Sequence, residues 1–223
     1  MNLKHYELLA DLFKYPDEFF LERILQILSS LDKKYPSALK EAQEFFDTLS
    51  FNDLACAQEL YTRSFDVQAV TTLDIGYVLY GDDYKRGEIL ANLNREHQKA
   101  QNDCGSDLAD HLPNLLRLIS KSEDSQFIAD LVHEILAPAL SKMINEFDPQ
   151  RMEEKNKLYK KHYKTLIETP KNNSTTYQHA LKALFCVLKE DFQIQEEALN
   201  VYVKNDFLAS LNNEMSIEKL AKG

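Results

Sequence analysis

Ile128-Ala129-Asp130-Leu131-Val132-His133-Glu134-Ile135-Leu136-Ala137-Pro138-Ala139-Leu140-Ser141-Lys142-Met143-Ile144-Asn145-Glu146-Phe147 carries the strongest hydrophobic period in the chain. Its apolar members, among them Leu131, Val132, Leu136, Leu140, Met143 and Phe147, recur at intervals of three and four, as a helix buried along one face requires. The spacing runs straight through Pro138. That residue has no N–H to donate to the carbonyl of Glu134, so the stretch predicts a long central helix kinked at the proline and stopped by Asp148-Pro149.

Outward from this stretch the same period recurs. Leu3, Tyr6, Leu9 and Phe13 begin a helix that must end before Pro16, and Phe20, Ile24, Ile27, Leu28 and Leu31 form the stripe of a second. Beyond the break at Pro36, Leu39, Ala42, Phe45, Phe46 and Leu49 make a third. Asn52-Asp53 can cap a fourth helix carrying Leu54, Leu60, Tyr61 and Phe65, and Thr71-Thr72 can cap the segment of Leu73, Ile75, Val78 and Leu79. Gly81-Asp82-Asp83 turns the chain, after which Leu90, Leu93 and His97 share a face. On the C-terminal side, Arg151 to Glu168 reads as a polar helix and Pro170 to Thr175 as a linker. Tyr177, Leu181, Leu184, Phe185, Leu188 and Phe192 form a last stripe. No stretch alternates apolar with polar residues for long enough to argue a sheet. The expectation is an all-α, single-domain helical bundle over 1–192, with 193–223 a loosely held helical region marked by Phe207, Leu208 and Leu211.

Composition narrows the function. The 223 residues are 44% apolar and 28% charged, and 26 Lys and Arg against 36 Asp and Glu leave a net charge of −10. Such a field repels phosphate backbones and anionic lipid, which argues against nucleic-acid binding. No run approaches a membrane span and the N-terminus lacks a signal layout, so a cytoplasmic address is expected. Cys56, Cys104 and Cys186 are too far apart for metal hairpins and read as separate reduced thiols. Neither GxGxxG nor GxxxxGK[ST] occurs, and His133-Glu134 lacks the second imidazole of a zinc-protease helix because position 137 is Ala. No cofactor and no metal site is expected.

Asp107-Leu108-Ala109-Asp110-His111-Leu112-Pro113 stands out, placing an acid beside an imidazole at the mouth of a helix with the stripe Leu112, Leu115, Leu116 and Ile119. Asp110 fits either the N-cap of that helix or a binding role, and Pro113 sits where a missing donor does no harm. His111, at a positive helix terminus where added cationic charge is unfavourable, offers a neutral imidazole to a partner.

Four stretches together carry a resemblance. They are Leu8 to Pro16, Leu60-Tyr61-Thr62-Arg63-Ser64-Phe65-Asp66, Leu79-Tyr80-Gly81-Asp82 with Arg86-Gly87, and Asp107 to Pro113. In order and spacing the chain resembles the nitrate reductase delta-subunit group of molybdoenzyme assembly chaperones. That group lies within the redox-enzyme maturation proteins, which also include the trimethylamine-oxide and dimethyl-sulfoxide reductase chaperones. One departure is that Asp107-Leu108-Ala109 stands where the nitrate reductase pattern has Glu-Leu-Pro. The resemblance implies a non-enzymatic cytoplasmic chaperone that binds the apo catalytic subunit of a molybdenum-cofactor reductase, commonly by its N-terminal segment. It would hold that subunit for cofactor insertion, with the insertion machinery as a further partner, before membrane attachment.

A matching mechanism is an apolar groove between helices with a polar rim. The expected wall is Tyr61, Phe65, Leu79 and Tyr80, and the expected rim is Asp66, Asp82, Asp110 and His111; core packing is the competing reading of the apolar members. Gly81 and Gly87 read as backbone devices for a turn and a close helix approach. Two other readings stay open: a regulatory or adaptor module using the basic helix Arg151 to Lys164, and an enzyme with Asp110 and His111 as an acid-base pair.

Overall fold

The computed structural model describes residues 2–32, 34–49, 53–162 and 175–195. These residues form one helical domain without a strand, whose element order follows the apolar stripes. Helix α1 (His5–Leu9) tightens into a 3₁₀ turn, Ala10–Phe13, and stops at Lys14, before Pro16. Helices α2 (Phe20–Leu31) and α3 (Pro36–Thr48) follow, the second with Pro36 in its first turn, where the missing donor costs nothing. Asp53 caps α4 (Leu54–Phe65) by accepting from the amide of Ala55. Then come α5 (Ile75–Tyr80), α6 (Tyr84–Lys99), α7 (Leu112–Lys121), α8 (Ser125–Asp130), α9 (Ala137–Glu146), α10 (Pro149–His162) and α11 (Thr176–Phe192).

The central stretch takes in its proline through a local change of helix type. Between α8 and α9 the helix widens into a π turn over Leu131–Leu136, and the amide of Ala137 donates to the carbonyl of Val132, five residues back. One extra residue in the turn lets the chain enter Pro138 without breaking the helical path. Nor is this helix central alone. Tyr177, Ala180, Leu181, Leu184, Val187 and Leu188 of α11 are fully buried, and α11 packs along α3 and against α9 and α4. Tyr177 anchors the middle, with ring centroids 5.2 Å from Phe45, 4.9 Å from Phe65 and 5.8 Å from Tyr61.

The polar helix is only partly a solvated one. In α10 Lys155 is buried, ion-paired with buried Glu146 and bonded to the carbonyl of Val70, while Arg151 lies 2.7 Å from the same Glu146. Tyr159 donates to the carbonyl of Ala69 at 3.0 Å. Three cations of α10 are thus committed within the structure, Arg151 and Lys155 to Glu146 and Lys157 to Glu153. The expected continuation to Glu168, the linker up to Ser174 and the region 196–223 lie outside the described residues. Among the described residues Cys56, Cys104 and Cys186 form no disulfide, and no helix is long and apolar enough to cross a membrane.

Candidate functional site

The segments entering α5 and α7 are laid side by side. The amide of Ile75 donates to the carbonyl of Asp110 at 3.0 Å and that of Leu112 to the carbonyl of Leu73 at 2.9 Å, so Asp74 and His111 sit opposite each other in a single antiparallel bridge. Their side chains meet as well: His111 Nδ1 is 3.0 Å from Asp74 Oδ1. The other oxygen of Asp74 accepts from Arg86 Nη2 of α6 at 3.1 Å. Behind them the buried Asp110 accepts from the amide of Gly76 at 3.0 Å and faces Arg86 Nε at 3.4 Å.

Asp110 is thus a helix cap, but for α5 rather than for the helix it precedes. The structure corrects both sequence expectations for it, since it caps across the bridge and, being buried, forms no rim. The N-cap position of α7 belongs to His111, whose side chain makes no capping bond, and that of α5 to Asp74 rather than to Thr71 or Thr72; Thr72 instead accepts from the Asp74 amide at 3.2 Å. No Asp110–His111 acid-base pair forms, because the imidazole turns to Asp74 and the Asp110 carboxylate points at Gly76.

Charge follows this geometry. Burial raises the Asp74 carboxyl, but the His111 and Arg86 contacts more than offset that and hold it below the usual carboxylate range. Asp110 goes the other way. Burial pushes it up, and although Arg86 opposes the shift, the neighbouring Asp74 charge adds to it.

The loop that presents these groups is fixed by a second buried network. Imidazole His97 lies 2.9 Å from the carbonyl of Ala109 through Nε2 and 2.9 Å from Asn102 Nδ2 through Nδ1. Since an amide nitrogen only donates, Nδ1 accepts and Nε2 carries the proton. Burial depresses the pKa of this ring, consistent with the neutral form. Asn114 donates to the carbonyl of Leu108 at 3.0 Å, so the stretch from Asn102 to Asp110 is tied to both α6 and α7.

A cleft of about 520 Å³ opens in front of the His111–Asp74 pair. Its apolar surface comes from Tyr15, Tyr61, Phe65, Leu73 and Leu108, and its acidic groups are Asp66, Asp74 and Asp107. Lys14 and Arg117 supply positive charge on other parts of the lining. Tyr61 stacks edge-on between Tyr15 and Phe65, with centroids at 5.4 and 5.3 Å, and donates to the carbonyl of Phe13 at 3.2 Å. Burial pushes its hydroxyl well above the ordinary tyrosine value, and the charges of Asp107, Asp66 and Asp74 push it further.

Of the expected groove residues, Tyr61, Phe65, Asp66 and His111 line this cleft, and so does Pro113 of the cap. Leu79, Tyr80 and Asp82 do not. Leu79 is buried in the core, Tyr80 packs partly against it, and Asp82 is exposed on the turn after α5. Gly81 is the backbone device expected, with φ +61° closing α5. Gly87 is not, because a Cβ there would meet nothing within 4 Å; the close approach belongs to Gly76, where a Cβ would stand 2.7 Å from Asp110 Oδ2. Sequence reading also missed Tyr15, Asp74, Arg86, Asp107 and Arg117 as site residues. A glycine inside the apolar run Ile75 to Leu79 was a usable signal, since a helical glycine commonly has a packing reason.

Among the described residues no group of three or more histidines, cysteines or carboxylates could hold a metal ion. The cleft offers aromatic faces to apolar side chains and the carboxylates of Asp66 and Asp107 to cationic ones. No protein-family model matches the chain, and no curated protein matches it.

Proposed function

We propose that this chain is a dedicated cytoplasmic chaperone for a nitrate-reductase-like molybdoenzyme, receiving the N-terminal segment of the apo catalytic subunit in the Tyr61 cleft. It holds that subunit for molybdenum-cofactor insertion before membrane attachment and catalyses no reaction of its own. The observation that carries this reading is convergence. Tyr15 from the opening stretch, Tyr61, Phe65 and Asp66 from the second, and Asp107 and His111 from the last all line one cleft, although nothing in chain proximity requires it. Arg86, from the remaining stretch, touches the same site through Asp74. Its acidic lining suits a basic, amphipathic segment, with charge acting chiefly on encounter and register.

The test is fluorescence anisotropy with a labelled peptide of the first residues of a nitrate-reductase catalytic subunit. Binding is expected, weakening with salt, and Asp66→Lys with Asp107→Lys should lower the association rate by about tenfold or more. Both residues are exposed, so the helical circular dichroism should not change. Absence of binding by the wild-type chain at low salt would overturn the reading. So would normal reductase maturation in a strain lacking this chain.

A further inference from the structure

The large apolar side chains exposed among the described residues are unevenly distributed. Tyr15 is 53% exposed, Phe19 56%, Leu21 37% and Leu25 53%, all within eleven consecutive positions. Helix α2 explains part of this. Phe20, Ile24, Ile27 and Leu31 face the core, whereas Leu21 and Leu25, one turn apart, form a second stripe beside the buried one. Along the chain the stripe follows closely on a residue of the cleft. Tyr15 lines the cleft and touches Tyr61, the carbonyl of Pro16 is held by Gln58 of α4 at 2.9 Å, and Asp17 accepts from the amide of Phe19 at 2.9 Å. The connection between cleft and stripe is thus a tethered turn, not a loose loop.

Charge narrows what can cover this face. Asp17 pairs with Arg23 at 2.8 Å, leaving Glu18 and Glu22 as exposed carboxylates next to the apolar stripe. With a net charge of −10, a second copy of this chain or an anionic membrane would meet repulsion there, whereas a cationic amphipathic segment would not.

We propose that the client segment continues past the cleft, over Tyr15 and Phe19, onto the outer face of α2, where Leu21 and Leu25 receive its apolar residues and Glu18 and Glu22 its basic ones. This extension rests on the cleft reading above. It makes α2 the surface that sets how long a client segment is recognised.

Two peptides from the N-terminus of a nitrate-reductase catalytic subunit decide it, one long enough to fill the cleft and one about three helical turns longer. Both are titrated against the full chain and against its Leu21→Ser/Leu25→Ser variant, whose substitutions lie at exposed positions. The longer peptide is expected to bind the wild-type chain about tenfold tighter than the shorter one. The variant should abolish that advantage and leave the shorter peptide's Kd unchanged. If the shorter peptide binds and the longer gains nothing, or the gain survives in the variant, the extension is wrong while the cleft reading stands. If neither binds the wild-type chain, both fall. Concentration-dependent dimerisation in light scattering, lost in the variant, would assign the stripe to a second copy instead.

Discussion

Asp191 in α11 and Asp110 before α7 are both buried carboxylates that draw distant helices together, and their surroundings are opposite. Asp191 uses both oxygens fully: one lies 2.7 Å from His5 Nε2 and 3.1 Å from the Tyr6 hydroxyl, the other 2.8 Å from the Tyr35 hydroxyl and 3.0 Å from Lys34 Nζ. Asp110 has one amide donor, one long contact to Arg86, a second carboxylate nearby, and an Oδ1 that is buried without a partner among the described residues. Burial alone would raise both. At Asp191 the bonds from His5, Tyr35 and Lys34 outweigh burial and drive the carboxyl far below its ordinary value, and the Tyr35 hydroxyl, itself buried, is pushed up to about 12. At Asp110 burial wins. A saturated carboxylate locks the two ends of the fold, whereas the undersatisfied one sits directly behind the cleft.

The contrast can be broken most forcefully at the clamp. Asp191→Ala strands two hydroxyls, the His5 imidazole and the Lys34 ammonium, and removing one member of a buried charged network costs about 3–5 kcal/mol. A thermal melt followed at 222 nm should show the midpoint lowered by roughly 10 °C for a chain of this size. An unchanged midpoint would mean the cluster is ornamental. Gly76→Ala comes next. Its Cβ would press on Asp110 Oδ2 and stand 3.2 Å from Arg86 Cγ, so the overpacking penalty of about 1–3 kcal/mol should exceed the gain in helix propensity, and client-peptide affinity should fall with it.

The pH dependence distinguishes the two acids by sign. A folded-state value below the unfolded one gives Asp191 a stabilising contribution present above the unfolded carboxylate pKa of about 4, lost as pH falls through the depressed value. For Asp110 the raised value means its contribution is most favourable in acid and is lost as pH rises through that value. Melts from about pH 2 to 7 should therefore show Asp191→Asn losing ground on the wild-type chain as pH rises towards about 4 and holding level beyond it, and Asp110→Asn gaining from about pH 4 upward. Parallel curves would remove the distinction. The smallest effect is the control: Gly87→Ala, exposed with open space at its Cβ, should stabilise by about 0.5–1 kcal/mol in the same assay.

Much of the architecture was readable because apolar spacing is a local property. The stripes of α2, α7 and α11 were assigned from the residues that the structure buries, and Pro36, Asp53 and Gly81 act where their backbone chemistry placed them. What could not be read is which polar group meets which. Asp110 has the composition of a cap, and only the bridge between Asp74 and His111 redirects it to a helix 34 residues earlier. Lys155 belongs by sequence to a solvated face, and is buried because Glu146 and the Val70 carbonyl lie beneath it. The cleft was half visible. Tyr61 and Phe65 stood out by motif, whereas Tyr15 and Asp107 enter only through the way two loops come together, which no spacing encodes.

Tyr177 has a bearing on when the site comes into being. Its ring backs both Tyr61 and Phe65, yet about 110 residues separate it from Phe65, a delay on the order of 5–20 s during translation. Until α11 leaves the ribosome, the aromatic wall has nothing behind it and the amino-terminal helix has no Asp191 to hold. A nascent chain therefore lacks the finished cleft, and whatever the cleft receives can be held only once synthesis has passed the helix that completes it.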